Sequence, residues 1–239
     1  MKKIFLILLY FYSLIVLLLL TLIYPIIRIK IGVIETRCIG DCSISYEIFY
    51  SEIKKNKIKK SFFDIYLWYP EIRIANRFLL KKFKKKLTVI PGIFLHLPST
   101  LIKKYKLNYL EIPRRKIHPM RDVHKVLDEK PLLINFNERE LKEANKICKE
   151  FNIKETDKII CASVRTPGFK KENFCCTQNA DINSLFQGFD YLIKNNYKIL
   201  LMGDYYNNLP KQLNSSIIPY SNTKYKNDML DFYFMSRCD

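Results

Sequence analysis

Two stretches decide the fold class of this 239-residue chain: KIICASV at residues 158–164 and KILLM at residues 198–202. Both are short aliphatic runs that open into loops, and the second ends at Gly203. Between them lies a segment that Asp181 can cap, with apolar residues at helical spacing from 185 to 193. A strand, a crossover helix and a second strand make a parallel pair, so this part of the sequence predicts an α/β fold.

The same alternation of strands and helices extends through the rest of the chain. Strands are predicted at Ile31–Glu35, Phe62–Trp68, Leu87–Ile90 and Ile217–Ile218, and helices at Ser43–Lys55, Ile74–Lys84, Phe94–Lys104 and Asn227–Arg237. A further helix is predicted to begin at Asn137, which forms a capping-box pattern with Glu140. The predicted organisation is an apolar segment at 1–30, a first domain at 31–116, a linker at 117–136 and an incomplete second domain at 137–239.

The N-terminal segment predicts a membrane anchor. Lys2 and Lys3 precede an uncharged run from Ile4 to Ile27, and Arg28 and Lys30 follow it. As a helix this run would extend about 36 Å, enough for a hydrocarbon core of about 30 Å. A cleaved signal peptide has a shorter apolar core and a small-residue cleavage site, which this segment lacks. A buried or interfacial helix is the remaining alternative.

Basic residues are concentrated next to this segment. The formal net charge is +18, and residues 31–116 hold 19 Lys and Arg against 7 Asp and Glu. Two clusters dominate, KKNKIKK at 54–60 and KKFKKK at 81–86. We expect a single-pass protein of the inner membrane, and the positive-inside rule favours a cytoplasmic body for it. Lysines near the membrane also attract anionic lipid. A solvated lysine-rich face is the alternative; no nucleic-acid-binding motif is present, so nucleic acid is not an expected partner.

Several common activities lose their support because their motifs are missing. The sequence has no phosphate-binding P-loop, dinucleotide-binding glycine motif, nucleophile elbow or H-E-x-x-H pair. Its seven cysteines include no C-x-x-C pair and match no disulfide framework, which favours reduced thiols and makes a zinc site unexpected. No D-x-D motif that would hold a metal-bound diphosphate follows the apolar segment.

Five residues of the second domain are candidates for ligand binding, because α/β sheets bind ligands beyond the carboxyl ends of their strands. Arg165 can hold a diphosphate, with an ordinary loop ion pair as the alternative. Asn179 and Asp181 can hydrogen-bond a ligand or simply cap a helix. Gly203 allows close backbone approach or makes a tight turn. Asp231 lies in the last helix, where a surface or capping role is the alternative.

In the first domain, the candidates follow the first strand. Asp41, after Gly40, can act as a base or accept a hydrogen bond from a hydroxyl group. His96, His118 and His124 can also act as bases, but for each alone a structural role is favoured.

The order of these segments resembles a family of bacterial glycosyltransferases found with surface-polysaccharide genes. The similar blocks are YPIIRIKIGVIETRCIGDCSISYEIFYSE (24–52), IANRFLLKKFKKKLTVIP (74–91), ASVRT (162–166), QNADI (178–182), NYKILLMG (196–203) and KNDMLDFYF (226–234). Three positions depart from the family pattern: Asp41 stands for His, while Gln178 and Leu201 each stand for Arg. The chain also ends where the family continues into a further strand and a donor-site loop.

The resemblance implies two Rossmann-like domains of the GT-B type, the second incomplete, after a transmembrane helix. It implies transfer of a sugar from a nucleotide-sugar donor to a glycan or lipid-linked acceptor, without a metal or other cofactor. Arg165 would contact the diphosphate, and Asn179, Asp181, Gly203 and Asp231 would shape the donor pocket. Asp41 would be catalytic, in the Gly40 loop. The alternative is a truncated, inactive, membrane-associated binding or scaffold protein.

Overall fold

The computed structural model describes residues 2–58, 60–112, 121–129, 131–164, 180–203, 205–207 and 209–238, without the side chains of Lys2 and Asp41. The protein is a mixed α/β chain with an N-terminal apolar helix and two small parallel sheets. It divides into two compact units, unit 1 at Met1–Asn135 and unit 2 at Phe136–Asp239.

Unit 1 contains four helices and three strands within its described residues. The helices are α1 (Lys2–Ile23), α2 (Tyr46–Lys54), α3 (Arg77–Lys86) and α4 (Gly92–Lys104), and the strands are β1 (Arg28–Ile34), β2 (Asp64–Pro70) and β3 (Thr88–Val89). The strands are parallel in the order β1-β2-β3. A π-helical turn at Asp41–Ser45 precedes α2, and short 3-10 turns lie at Asn108–Leu110 and Val126–Asp128.

Helices cover both faces of the unit 1 sheet, because alternate strand residues point to opposite sides. On one side, Ile31 and Tyr69 of the sheet share a buried cluster with residues of α1 and α4. On the other side, Trp68 packs edge-on against Tyr46 and Phe49 of α2, with ring centroids 5.5 and 5.6 Å apart. Thus α1 belongs to the layer that holds α4, and α2 packs on the opposite face of the sheet.

Gly32 lets a later segment approach β1 closely. Ile112 donates its backbone N–H to the carbonyl of Ile31 at 3.1 Å. A Cβ at Gly32 would lie 2.8 Å from the Ile112 side chain and 3.0 Å from the Trp68 ring. A larger side chain would require the end of the Ile112 side chain to shift and the Trp68 ring to move slightly, so the close approach favours glycine at this point of the strand.

Residues 131–134 are attached to unit 1 by a buried carboxylate. Glu47 of α2 accepts hydrogen bonds from the backbone N–H groups of Leu132, Leu133 and Ile134 at 2.6–3.1 Å. Its Oε1 also accepts from the Ser51 hydroxyl at 3.1 Å. One charged group therefore satisfies three consecutive backbone donors, which lie 85–87 residues away in sequence.

Unit 2 has the same kind of sheet. Its helices are α5 (Glu138–Glu150), α6 (Phe186–Lys194) and α7 (Asp228–Arg237), and its parallel strands, in the order β4-β5-β6, are β4 (Lys158–Ser163), β5 (Tyr197–Met202) and β6 (Ile217–Ile218). Phe189 of α6 packs with Ile199, Leu201 and Ile217 of the sheet. α7 contacts β4 and α5, and Phe234 of α7 lies 6.3 Å from Phe151, between ring centroids.

Most predicted elements are confirmed, with ends that shift by up to three residues. The capping box of Asn137 and Glu140 is present, and Asp181 caps the 3-10 turn Ile182–Leu185 that leads into α6. The predicted helix start at Ser43 is wrong. Ser43 lies inside the π-helical turn and its hydroxyl donates to the carbonyl of Gly40 at 3.3 Å, so it caps no helix.

Candidate functional site

The described part of unit 2 brings several polar groups to the carboxyl ends of β4 and β5. We call this set the carboxyl edge of unit 2; it consists of Val164, Gly203, Tyr206, Lys226 and Asp231. Ligands of open parallel sheets bind beyond this edge because it gathers loops and helix starts. Two of the five, Gly203 and Asp231, were predicted from the sequence.

Tyr206 joins the ends of the two strands. Its hydroxyl donates to the carbonyl of Met202 at 2.6 Å and accepts the backbone N–H of Val164 at 3.0 Å. The side chain is buried, so these bonds form away from solvent. The tyrosine therefore holds the two carboxyl ends in fixed register.

Gly203 makes the turn after β5 possible. Its φ is +100°, a backbone conformation that side-chain-bearing residues rarely adopt. A Cβ there would also lie 3.1 Å from the Ser163 hydroxyl oxygen. The positive φ and the nearby Ser163 hydroxyl both favour glycine at the end of β5.

Lys226 is a cation at this edge that sequence reasoning missed. Its ammonium group donates to the carbonyl of Gly203. The next residue, Asn227, caps α7 by accepting the N–H groups of Met229 and Leu230 at 3.1 and 2.9 Å. The start of α7 thus places the exposed Lys226 beside Gly203 at the end of β5. The two residues are 23 positions apart in sequence, so only the tertiary fold brings them together.

Asp231 lies one turn into α7 and is half-buried. Burial raises the pKa of its carboxyl group, while a hydrogen bond with the Tyr220 hydroxyl and the charge of Lys226 act in the opposite direction. Burial also raises the pKa of Tyr220, which stays a neutral hydroxyl. Lys226 thus links two predicted residues: it bonds the carbonyl of Gly203 and its charge acts on Asp231.

The other predicted residues of unit 2 are only partly described. Asp181 accepts the backbone N–H and the side-chain amide of Asn183 at 3.0 and 2.9 Å, which is helix capping. It directly precedes the 3-10 turn that leads into α6, and these two bonds are local. Arg165 and Asn179 lie outside the described residues.

The predicted residues of unit 1 follow β1. Gly40 is exposed and directly precedes the π-helical turn, in which Asp41 is the first residue. Nearby, Tyr46 donates its hydroxyl to the carbonyl of Val33 at 2.7 Å and accepts the N–H of Glu35 at 3.0 Å. Burial raises the pKa of this tyrosine. Tyr46 secures the carboxyl end of β1 much as Tyr206 secures the strand ends of unit 2.

The two described histidines each lie against one side chain of unit 1. The His96 ring packs edge-on against Tyr69, with centroids 6.1 Å apart. His124 lies 4.0 Å from a carboxylate oxygen of Glu52. His118 lies outside the described residues. Among the residues that the structure covers, no three His, Cys, Asp or Glu side chains converge on a point that could hold a metal ion.

Comparison of the chain with models of protein families, with curated proteins and with solved structures finds no match. What the fold defines is an α/β protein with two parallel-sheet units and an N-terminal helix that is long and apolar enough to span a membrane. Inference about function therefore rests on the residues at the edges of the two sheets.

Proposed function

We propose that this protein is a membrane-associated glycosyltransferase-like protein of the two-Rossmann-domain GT-B type. It would transfer a sugar from a nucleotide-sugar donor to a glycan or lipid-linked acceptor in surface-polysaccharide synthesis. The observation that supports this proposal best is the carboxyl edge of unit 2, where Gly203, Lys226 and Asp231 lie together beside the ends of two parallel strands. The order of sequence blocks similar to the glycosyltransferase family, two of which contain these three residues, also supports it.

The chemistry of this edge suits a nucleotide diphosphate. An ammonium group and a guanidinium group together neutralise the charge of a leaving diphosphate without a metal ion. Lys226 would supply the first, and Arg165, which follows β4 by two residues in the sequence, would supply the second. Asn179 and Asp181 would hydrogen-bond the donor, and Asp231 would contact its sugar or nucleoside hydroxyls.

In unit 1 we propose Asp41 as the residue that activates the acceptor hydroxyl. A carboxylate accepts a proton from a hydroxyl nucleophile when the two lie within hydrogen-bond distance. Gly40, which directly precedes Asp41, has a helical backbone and is exposed, and the acceptor would approach from this side. We place the body of the protein on the cytoplasmic side of the inner membrane, where nucleotide sugars are made and anionic lipids attract its lysines.

The test is nucleotide-sugar binding to the full chain in detergent, measured by calorimetry across uridine- and guanosine-diphosphate sugars. Lys226→Gln should weaken binding about tenfold to a hundredfold, because one charge-assisted contact contributes roughly 1.5–3 kcal/mol. Lys224→Gln is the matched control, since Lys224 is also exposed and its ammonium lies over the Tyr225 ring. Equal effects of the two substitutions would contradict the assignment of Lys226.

Two further outcomes separate enzyme from scaffold. Binding accompanied by donor hydrolysis or sugar transfer supports the enzyme. Binding without turnover, in the presence of isolated lipid-linked acceptors, supports the inactive alternative. If no nucleotide sugar binds, the proposal of a donor site in unit 2 fails.

A further inference from the structure

The helix α1 is apolar on all sides, but unit 1 covers only one of them. The covered residues recur at helical spacing: Ser13 is 0% exposed, Leu17 5% and Leu20 8%. On the opposite side is a second stripe, here called the outer stripe, whose residues are 57–65% exposed: Leu8, Phe11, Ile15, Leu18 and Leu22. A helix that is apolar all round needs apolar surroundings on every side, so the outer stripe requires a second partner.

Contacts between α1 and the rest of unit 1 extend along most of the helix. The hydroxyl of Tyr10 hydrogen-bonds the hydroxyl of Tyr105 at 3.0 Å, and Thr21 bonds Tyr109 in the same way at 3.0 Å. The ring of Tyr24, just after the helix, packs edge-on against Tyr109 with centroids 4.8 Å apart. The helix therefore lies along unit 1 from residue 10 to its end.

This packing leaves too little of α1 to cross a bilayer alone. Residues 3–8, which are all exposed, extend about 9 Å as a helix, whereas the hydrocarbon core is about 30 Å thick. If the packed part of α1 entered the core lengthwise, α4 beside it would have to enter too. Its last turn carries the exposed residues Lys103 and Lys104, and lysine in hydrocarbon is strongly unfavourable.

We infer that α1 lies in the plane of the membrane. Its covered residues Ser13, Leu17 and Leu20 face the rest of unit 1, and its outer stripe lies among the acyl chains of one leaflet. Ile93 and Phe94, exposed at the start of α4, extend this apolar surface, since the Phe94 ring contacts Tyr12 with centroids 6.5 Å apart. Lys103 and Lys104, at the other end of α4, suit anionic headgroups. This mode of attachment does not depend on the proposed sugar transfer.

Topology distinguishes the in-plane helix from a membrane-spanning one. The full chain carries a peptide tag at each end, and sealed membrane vesicles of both orientations are treated with a protease. An in-plane helix places both tags on the same side, so that one vesicle orientation loses both and the other loses neither. Tags on opposite sides would overturn the inference, as would recovery of the untreated chain in the soluble fraction without detergent.

The outer stripe is tested with Leu18→Lys combined with Leu22→Lys. Neither residue belongs to the stripe that unit 1 covers, so the fold should persist; fluorescence of Trp68, the one tryptophan of the chain, checks this. Binding to phosphatidylcholine vesicles should fall at least tenfold, because two lysines would enter the acyl region. Tyr191→Lys, at an exposed position of α6 in unit 2, is the control and should bind like the unchanged chain.

Adding phosphatidylglycerol, an anionic lipid, to the vesicles separates insertion of the outer stripe into the acyl region from attraction of the lysines to headgroups. It should strengthen binding of the unchanged chain through headgroup contacts, and restore only part of the binding of the double variant. If the double variant binds neutral vesicles as well as the unchanged chain does, the outer stripe is not the lipid-contacting surface and the inference is wrong.

Discussion

Glu47 shows how one residue fixes a distant segment. Its carboxylate accepts three consecutive backbone N–H groups, from Leu132 to Ile134, in a buried position of unit 1. Glu47→Gln leaves one oxygen acceptor and turns an amide N–H₂ group toward a backbone donor. Because buried donors without partners are unfavourable by about 1–3 kcal/mol each, the substitution should lower the stability of unit 1 by about 2–3 kcal/mol.

Urea unfolding in detergent, followed by Trp68 fluorescence, measures this loss. Trp68 is buried against α2, so its emission reports on unit 1 and not on unit 2. Glu35→Gln, at an exposed position of the same unit, is the control and should shift the midpoint little. Equal midpoints for the two variants would show that the N–H groups of 132–134 do not depend on the carboxylate.

Asp231 gives unit 2 a pH dependence of predictable sign. Burial raises the pKa of its carboxyl group above the unfolded value of about 3.9, so between the two values the folded state binds more protons than the unfolded state. The stability of unit 2 should therefore fall as pH rises through that window, and level off above it. Asp231→Asn should remove this slope while keeping an oxygen for Tyr220.

Hydrogen exchange of the peptide that covers β5 reports on unit 2 alone. Protection factors, corrected for the intrinsic pH dependence of exchange, should lose their slope in Asp231→Asn. Asp190→Asn, at an exposed position of α6, serves as the control and should keep it. An unchanged slope in Asp231→Asn would assign the titration to another group.

At the scale of the elements, Tyr206 couples β4 to β5. Tyr206→Phe preserves the ring but leaves the buried N–H of Val164 and the carbonyl of Met202 without the hydroxyl. Unit 2 should lose roughly 1–3 kcal/mol, with the loss of exchange protection greatest at the ends of these two strands. Tyr205→Phe, at the exposed neighbouring position, should have little effect; uniform protection in Tyr206→Phe would exclude the coupling.

Elements were predictable from the sequence where local chemistry determines them. Aliphatic runs with nearby Pro or Gly mark the strands, and Asn137 and Asp181 cap their helices as predicted because a cap bonds within three residues. The predicted helix cap at Ser43 was wrong because the Ser43 hydroxyl donates to the carbonyl of Gly40, within a π-helical turn that no spacing rule indicates. The candidate site was predictable at Gly203, which ends a buried strand.

Lys226 and Glu47 show why the rest of the site and core could not be predicted. Lys226 is one of many lysines in the sequence, and nothing local distinguishes it. It meets Gly203 only after the chain has formed β6 and returned to the start of α7. The partners of Glu47 lie more than 80 residues away, so only the tertiary structure reveals that its charge is buried and satisfied.

At the scale of the whole molecule, most of the net charge of +18 lies in unit 1, on different surfaces of that unit. Lys84, Lys85 and Lys86 are exposed at the end of α3. α3 lies with α2, because Phe83 packs against Tyr46, with ring centroids 5.7 Å apart. This is the face of the sheet opposite to α1. Lys103 and Lys104 end α4, which shares a layer with α1. Only Lys103 and Lys104 are therefore placed to meet the headgroups if α1 lies in the membrane plane.

Binding to phosphatidylglycerol vesicles at low and moderate salt should therefore depend on position and not on total charge. Replacing Lys103 and Lys104 by glutamine should weaken binding by about 1 kcal/mol per lysine. The same change at Lys84 and Lys85 removes equal charge and should have a much smaller effect, because screening limits attraction to about 10 Å at 0.1 M salt. A larger effect at α3 than at α4 would mean that the opposite face of unit 1 meets the membrane.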